Sequence, residues 1–354
     1  MAKANGKAPQ KKFRIRTLSA DQWDRRKLNR LLGKIEKKKI LVLGDIGVDR
    51  YTVGAVERIS PEAPVPIVRV QQENLKLGLA ANVADNLRVL GGVPLLVGIL
   101  GKDHAAEDFK RVLKAAKISS SHLIEDSDRC TIVKERIVSD RQQLLRVDYE
   151  NSVEISEPIE KAIRQKIEKI MPEVDAVIIE DYAKGLIQER LCQNVVRLAS
   201  QLNKMVAVDP NSKTPLSFYK GVSILTPNTK EAEYLSGISI TNSQSLCAAG
   251  MKIVQETDCQ FLVITRGRDG MALFRKGRAE VCLIPTYARE VYDVSGAGDT
   301  VIAVLVLALV AGGELEEAAI LGNLAAGVEV GKRGTATVSQ EEIRQFLQEV
   351  SRKI

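Results

Sequence analysis

The sequence predicts an α/β fold: a doubly wound, mainly parallel sheet flanked by helices, with a small β-sheet lid. Three observations predict it. Short apolar runs recur along the chain, and four of them end in clusters of polar residues, the layout of a sheet whose site lies along one edge. A glycine-rich polar turn, Asp293 to Thr300, runs straight into the apolar helix Val301 to Ala311. Two alternating segments, one carrying Pro61, Pro64 and Pro66, break the strand-helix rhythm and read as something laid over it.

The chain has 354 residues with 45% apolar and 27% charged content, enough for one large α/β domain. No run of about 18 apolar residues is present to span a bilayer, and the basic start has no apolar stretch of a secretory signal behind it. Five scattered cysteines without a Cys-x-x-Cys pair argue for a reducing, cytoplasmic compartment and against a zinc site. Two histidines, His104 and His122, leave little room for a histidine-based triad or metal centre. The formal charge of +7 is unevenly placed: residues 1–40 carry 14 Lys and Arg against 3 Asp and Glu, so the remainder is mildly acidic. Residues 1–38 therefore read as a basic, solvated extension with one amphipathic helix near Ser19 to Lys37. Nucleic acid is an unlikely partner for the body, and a weak polyanion-binding arm is the sharper alternative for the extension.

From residue 39 the elements follow in order. Lys39 to Gly44 is a buried-type strand with Asp45 and Asp49 at and beyond its end. Arg50 to Val70 alternates around its prolines and reads as a protruding flap. Gly78 to Leu90 is a helix whose start holds Gly78 and Asn82. Strand Pro94 to Leu100 and helix Ala105 to Lys117 continue the rhythm. Thr131 to Val138 and Leu144 to Tyr149 read as a hairpin, so a lid forms from about 50–72 and 129–150. Then come four strands: Ala176 to Ile179 ending at Glu180-Asp181, Met205 to Val208 at Asp209-Pro210-Asn211, Ser223 to Leu225 at Thr226-Pro227-Asn228, and Phe261 to Ile264 at Thr265-Arg266-Gly267. Val301 to Val330 is two helices.

The chemistry centres on the turn 293–300. Gly296 and Gly298 permit backbone angles closed to other residues. Successive amides at a helix start suit a phosphate. Asp299 is poorly explained as a phosphate ligand, because like charges repel, and well explained as a base toward an attacking hydroxyl. A simple helix cap is the competing explanation. No Gly-Lys-Ser/Thr follows, so this is not a Walker loop. Asn228-Thr229-Lys230-Glu231 reads either as a capping box or as a pair beside Mg²⁺-bound phosphates. Thr265 to Gly270 is a hairpin turn or a glycine-lined nucleotide bed. Asp181 and Lys184 sit where substrate would come. Arg58, Arg136 and Arg141 lie on the lid and suit a phosphate carried by the acceptor, or simply charge an edge strand.

Taken together, Gly-Ala-Gly-Asp at 296–299, Asn-x-x-Glu at 228–231 and the Gly78/Asn82 helix start resemble the ribokinase (PfkB) family of sugar kinases. GDIGVDRY (44–51), RISPEAPVPIVRV (58–70), DYAKG (181–185), LTPNTKEAE (225–233), EVYDVSGAGDTVI (290–302) and AAGVEVGKRGTATVS (325–339) resemble its heptose 7-phosphate 1-kinase branch, over residues 39–354. The resemblance implies a ribokinase-like fold, phosphoryl transfer from ATP with Mg²⁺, and a sugar-phosphate substrate on the ADP-heptose (lipopolysaccharide core) route. It implies Asp299 as the base, with Gly296, Ala297 and Gly298 as anion hole. Asn228 and Glu231 would handle Mg²⁺, and Thr265, Gly267, Gly270 and Asn323 would line the ATP site. Asp49, Gly78 and Asn82 would grip sugar hydroxyls, a K⁺ ion would sit near Asp293, and the lid would join two copies in a homodimer. Three positions depart from the family pattern: Leu79 stands for a glycine, Gly47 for a methionine and Glu180 for a small residue. Gly47 is expected to open space that compensates for Leu79. No His-x-Gly-His motif occurs, so the nucleotidyltransferase step of bifunctional relatives is expected from another protein.

Overall fold

The structure is a computed structural model that describes residues 13–139, 142–288, 291–332 and 334–352. In chain order its strands are β1 Arg14–Thr17, β2 Lys39–Gly44, β3 Ile46–Ile59, β4 Pro66–Leu79, β5 Val93–Val97, β6 Ile99–Leu100, β7 Ile124–Glu125, β8 Ile132–Ser139 and β9 Gln142–Tyr149. β10 Ala176–Glu180, β11 Met205–Asp209, β12 Ile224–Leu225, β13 Phe261–Thr265, β14 Met271–Arg275 and β15 Glu280–Ile284 follow. The helices are α1 Arg25–Leu32, α2 Ala80–Val89, α3 His104–Ala115, α4 Glu157–Ile170, α5 Glu189–Gln201, α6 Thr229–Ser236, α7 Ser243–Thr257, α8 Ala297–Val310, α9 Leu315–Glu329 and α10 Gln340–Arg352.

Nine strands form the main sheet in the order β1-β15-β14-β13-β12-β11-β10-β2-β5. From β5 to β13 every pairing is parallel; β14 and β15 add an antiparallel meander, and β1 pairs parallel to β15. The central strands are apolar on both faces because helices cover both: all five residues of Ala176–Glu180 are buried. Two apolar clusters result, one under α1, α2, α8, α9 and α10, the other under α4, α5 and α7. The single strand expected over 94–100 is broken at Gly98, where a Cβ would strike the Ile46 side chain.

The lid is a separate four-stranded sheet in the order β4-β3-β8-β9. The proline-rich segment is its β3/β4 hairpin, with Pro61 and Pro64 in the turn where no ladder bond is lost. β8 and β9 form the expected hairpin, and β8 pairs parallel to β3. Register places Gly47 opposite both Gly78 and Ile132. A Cβ at Gly47 would overlap Ile132, so Gly47 admits the neighbouring strand and opens no space for Leu79.

From Phe13 onward the N-terminal extension packs against the domain, with only part of its surface in water. Arg14–Thr17 adds a ninth strand to the sheet. Trp23 is 7% exposed and meets Tyr287 edge-on, ring centroids 5.2 Å apart, while Leu28, Leu31, Leu32 and Ile35 join the larger core. Basic composition hid this because the charges point outward: Arg16 pairs with Glu280 and Glu316, and Lys27 with Glu317.

Candidate active site

The turn 293–296 delivers the chain to α8 over the carboxyl ends of β10 and β11. Gly296 is left-handed (φ 95°) at the helix N-cap, and a Cβ there would meet Asn82 Nδ2 at 3.1 Å and Glu329 Oε1 at 3.2 Å. The first full helical bond runs from the Thr300 amide to the Gly296 carbonyl, so the amides of Gly298 and Asp299 precede the ladder. The Ala297 amide instead donates to the Val294 carbonyl at 3.3 Å and closes the turn.

Asp299 is half-buried and held on both oxygens. Asn82 Nδ2 donates to Oδ2 at 2.6 Å, and Tyr182 Oη donates to Oδ1 at 3.0 Å. Burial pushes its carboxyl up to about 6, against the lowering effect of these two donors. Asn82, expected to face the sugar, thus also orients the Asp299 carboxylate. Tyr182 was only part of a motif in the sequence; its ring carries Lys134 Nζ 5.5 Å from the centroid. Burial, with the charge of Asp299 beside it, raises the Tyr182 hydroxyl well above its ordinary value and keeps it a donor.

Further acids ring the turn. Carboxylate oxygens of Glu180, Asp209 and Asp299 lie within 4.8 Å of one another. Burial holds Glu180 and Asp209 well above the usual carboxylate range, and their neighbouring carboxylates push the same way. Glu329, from the end of α9, is 1% exposed, and burial pushes it up to about 8. In the sequence Asp209 stood out as a polar strand end, while Glu329 was only one residue of the 325–339 segment and had no role of its own.

On the acceptor side, Asp49 is buried and accepts from Arg136 Nη1 at 2.8 Å, and Gly78 lets the strands close, since its Cβ would sit 3.2 Å from Asp49 Cγ. Arg136 and Lys76 flank the Tyr51 ring at 5.3 and 5.5 Å. Lys134 is lowered by burial. Lys184 pairs with Glu150 at the lid's edge. Asp181 turns inward, accepting from Tyr219 Oη at 2.6 Å and from the Ala183 amide, and so shapes the end of β10. Arg58 stands exposed near the outer end of β3. Arg141 lies outside the described residues.

Leu79 is the N-cap of α2 with φ 58° and ψ −139°, a region that only glycine enters without strain. The helix start thus keeps the backbone of a glycine at a leucine.

On the nucleotide side, Asn228 and Glu231 complete a capping box: Asn228 Oδ1 accepts from the Glu231 amide at 3.0 Å and Glu231 Oε2 from the Asn228 amide at 2.8 Å. The cap leaves Glu231 Oε1 for other partners, and burial raises this carboxyl. Asn228 bridges to Thr265, bringing the two loops together. Gly267 (φ 54°) opens onto free space, as a nucleotide bed requires. Gly270 has a packing role instead, since a Cβ there would overlap the Ile284 carbonyl. Asn323 is buried and donates to the Pro285 carbonyl at 2.8 Å, which ties α9 to the end of β15. Asp293 Oδ1 accepts from the Ser295 amide, and the Asp293 and Tyr292 amides both reach the Val330 carbonyl. Among the described residues no helix is long and apolar enough to cross a membrane.

Comparison with known proteins agrees with this geometry. Residues 37–342 match the model of the pfkB family of carbohydrate kinases. The chain is 42% identical over 309 residues to the bifunctional protein HldE of Helicobacter hepaticus, covering 87% of this chain and 64% of that protein. It is 43% identical over 315 residues to the HldE of Pseudomonas aeruginosa strain UCBPP-PA14, covering 89% and 65%. The chain therefore spans about two thirds of the length of these relatives. Among solved structures, phosphofructokinase-2 of Escherichia coli in complex with potassium superimposes with a TM-score of 0.74 at 18% identity, over 89% of this chain and 99% of that one. Ribokinase of Arabidopsis thaliana with ribose and ATP gives 0.67 at 17% identity, over 88% and 99%. These likenesses establish the ribokinase-like fold, and the family match over most of the chain establishes the rest: the chain belongs to the pfkB family of carbohydrate kinases and is a sugar kinase.

Proposed function

We propose that the chain phosphorylates the C1 hydroxyl of D-glycero-D-manno-heptose 7-phosphate with ATP, giving the 1,7-bisphosphate for ADP-heptose, a lipopolysaccharide-core precursor. The observation that carries this reading is Asp299: a half-buried carboxylate at the head of α8, held by Asn82 and Tyr182, one residue from amides that can receive a phosphoryl group.

Asp299 takes the proton of the anomeric hydroxyl. The oxygen then bonds to the γ-phosphorus while the bond to the ADP oxygen breaks. The Gly298 and Asp299 amides receive the charge on the transferring group. A carboxyl titrating near 6 is ionised at neutral pH yet basic enough to help, which suits general-base work. Asp49 and Asn82 face the acceptor, and Lys134, Arg136 and Lys184 bring positive charge to its phosphate end. Asn228 and Glu231 fit a hydrated Mg²⁺, since the capping box leaves Glu231 Oε1 available. When bound, the ion neutralises nucleotide phosphate charge. Asp293 remains the candidate for K⁺.

The lid carries exposed apolar side chains, Ile59, Val65, Val70, Leu145 and Tyr149, which support pairing of two copies through the lid in the cytoplasm. A kinase for a different sugar phosphate is the second reading, favoured by the leucine at the glycine-type position 79. A coupled ATPase screen across sugar phosphates tests both. Preferred turnover of heptose 7-phosphate supports the first, preference for a smaller sugar phosphate the second, and no turnover of any leaves a binding protein.

A further inference from the structure

The N-terminal extension follows β15 to its end and continues past it. Thr17 pairs with Leu283, and the Leu18 amide donates to the Leu283 carbonyl at 2.8 Å. The chain then turns, and the Ala20 amide donates to Tyr287 Oη at 2.8 Å. Trp23 meets the same ring edge-on, with centroids 5.2 Å apart. Trp23 is buried, and its Nε1 has no hydrogen-bond partner among the described residues, so packing alone keeps the indole in place. Tyr287 is thus held by one hydrogen bond and one ring contact from a segment that precedes the family match at residues 37–342.

Tyr287 belongs to a strip, 285–288, that lies in neither a strand nor a helix. No ladder fixes it, so its position depends on ties of this kind. The strip starts directly beneath the turn that follows β13. A Cβ at Gly270 would stand 1.9 Å from the Ile284 carbonyl oxygen and 2.8 Å from the Thr286 nitrogen, so the turn rests on backbone there. The α9 helix runs along the same strip. Asn323 donates to the Pro285 carbonyl at 2.8 Å, and one turn later a Cβ at Gly327 would lie 3.7 Å from Ala288 Cα. The extension therefore supplies ties that α9 does not. A bed whose support is loose must be ordered when its ligand arrives, and that ordering weakens binding.

We propose that Trp23 and Tyr287 are positioning residues of the nucleotide site: the extension clamps Tyr287, the clamp fixes the strip 285–288, and the strip holds the turn 266–270 in the form that receives ATP. The inference rests on the reading of Thr265 to Gly270 as the nucleotide bed. It gives the extension a part in binding, in addition to its part in stability. Neither aromatic ring touches the nucleotide in this account. The acceptor side is built from α2 and the lid, so loosening the clamp should leave it alone.

The test compares the affinity of the full chain for MgADP, by isothermal titration calorimetry, with KM for the sugar phosphate preferred in the coupled screen. Tyr287→Phe keeps the ring and removes the acceptor of the Ala20 bond; Trp23→Phe keeps an aromatic ring and shrinks the contact. Each should weaken MgADP binding by about 3- to 10-fold and leave KM for the sugar within about twofold. Trp23 is the only tryptophan of the chain, so its emission shows that the extension stays docked in Tyr287→Phe. Unchanged MgADP affinity in both variants would overturn the proposal. Equal losses for nucleotide and sugar would also overturn it, by reducing the clamp to a general support of the fold. Gly267→Leu, which fills the bed directly, separates the two levels. Loss of MgADP there, with both clamp variants unchanged, would strike the clamp and leave the bed standing. Unchanged affinity in Gly267→Leu would displace the bed and this inference with it. Should Trp23→Phe fail to fold, Tyr287→Phe decides alone.

Discussion

Asn82 Nδ2 stands 2.6 Å from Asp299 Oδ2, a bond across 217 positions of sequence that joins the start of α2 to the start of α8. It couples the proposed sugar-binding residue to the proposed base. The bond favours the ionised carboxylate against the burial that pushes it up to about 6. Removing it in Asn82→Ala should raise the carboxyl further. The acid limb of kcat/KM, expected near pH 6 in the wild type, should then move to higher pH, and kcat at neutral pH should fall by about 10- to 100-fold. A variant with lower kcat and an unmoved limb would show that Asn82 only contacts the sugar.

Glu329 gives a stability prediction with a defined sign. Its folded carboxyl titrates at about 8, against an ordinary value of 4.5. Between those values the folded chain holds a proton that the unfolded chain has released, so stability falls as pH rises through this window. Glu329→Gln removes the dependence. It should match the wild type near pH 5 and melt roughly 2–5 °C higher at pH 8.5. A Tm difference that does not grow with pH would mean that the carboxylate is already neutralised by a bound cation.

The turn 296–299, the strand-end acids and the two lid segments were all legible in the sequence, because each is set by local pattern: glycine spacing, apolar runs ending in polar clusters, strict alternation. What stayed hidden is tertiary. Tyr182 meets Asp299 only because β10 and α8 converge. Asn323, Asp181 and Ala297 carried the right residue types, but their polar groups were already committed to Pro285, Tyr219 and Val294. The strand Arg14–Thr17 hid in a basic stretch because an edge strand can keep its charges in water while its backbone pairs.

That strand and the helix behind it make residues 13–38 part of the folded domain. Trp23→Ala should cost about 3–5 kcal/mol by emptying the space against Tyr287 and the core. Deleting residues 1–38 should lower Tm further, since it uncovers Leu28, Leu31 and Leu32. An unchanged Tm in the deletion would mean that the extension does not dock in solution.

Leu79 holds a backbone conformation suited to glycine. Strain of this kind typically costs about 1–3 kcal/mol, partly offset by the greater freedom of an unfolded glycine. Leu79 is also buried, so Leu79→Gly sets relief of this strain against the loss of a core side chain, about 2–5 kcal/mol, and Tm should fall. If the leucine also borders the sugar, the variant should change KM for the sugar phosphate and leave KM for ATP alone. Both KM values unchanged would show that the side chain packs the core and does not border the sugar.

The central claim is that Asp299 is the base of an ATP-dependent transfer to the anomeric hydroxyl of heptose 7-phosphate. Single-turnover phosphorylation of that sugar by wild type and Asp299→Asn, with ATP affinity measured on both, tests it most directly. The account predicts formation of the 1,7-bisphosphate by the wild type. It predicts a loss of about 10²- to 10⁴-fold in the rate for Asp299→Asn, with ATP binding retained. Near-wild-type phosphorylation by Asp299→Asn would contradict it.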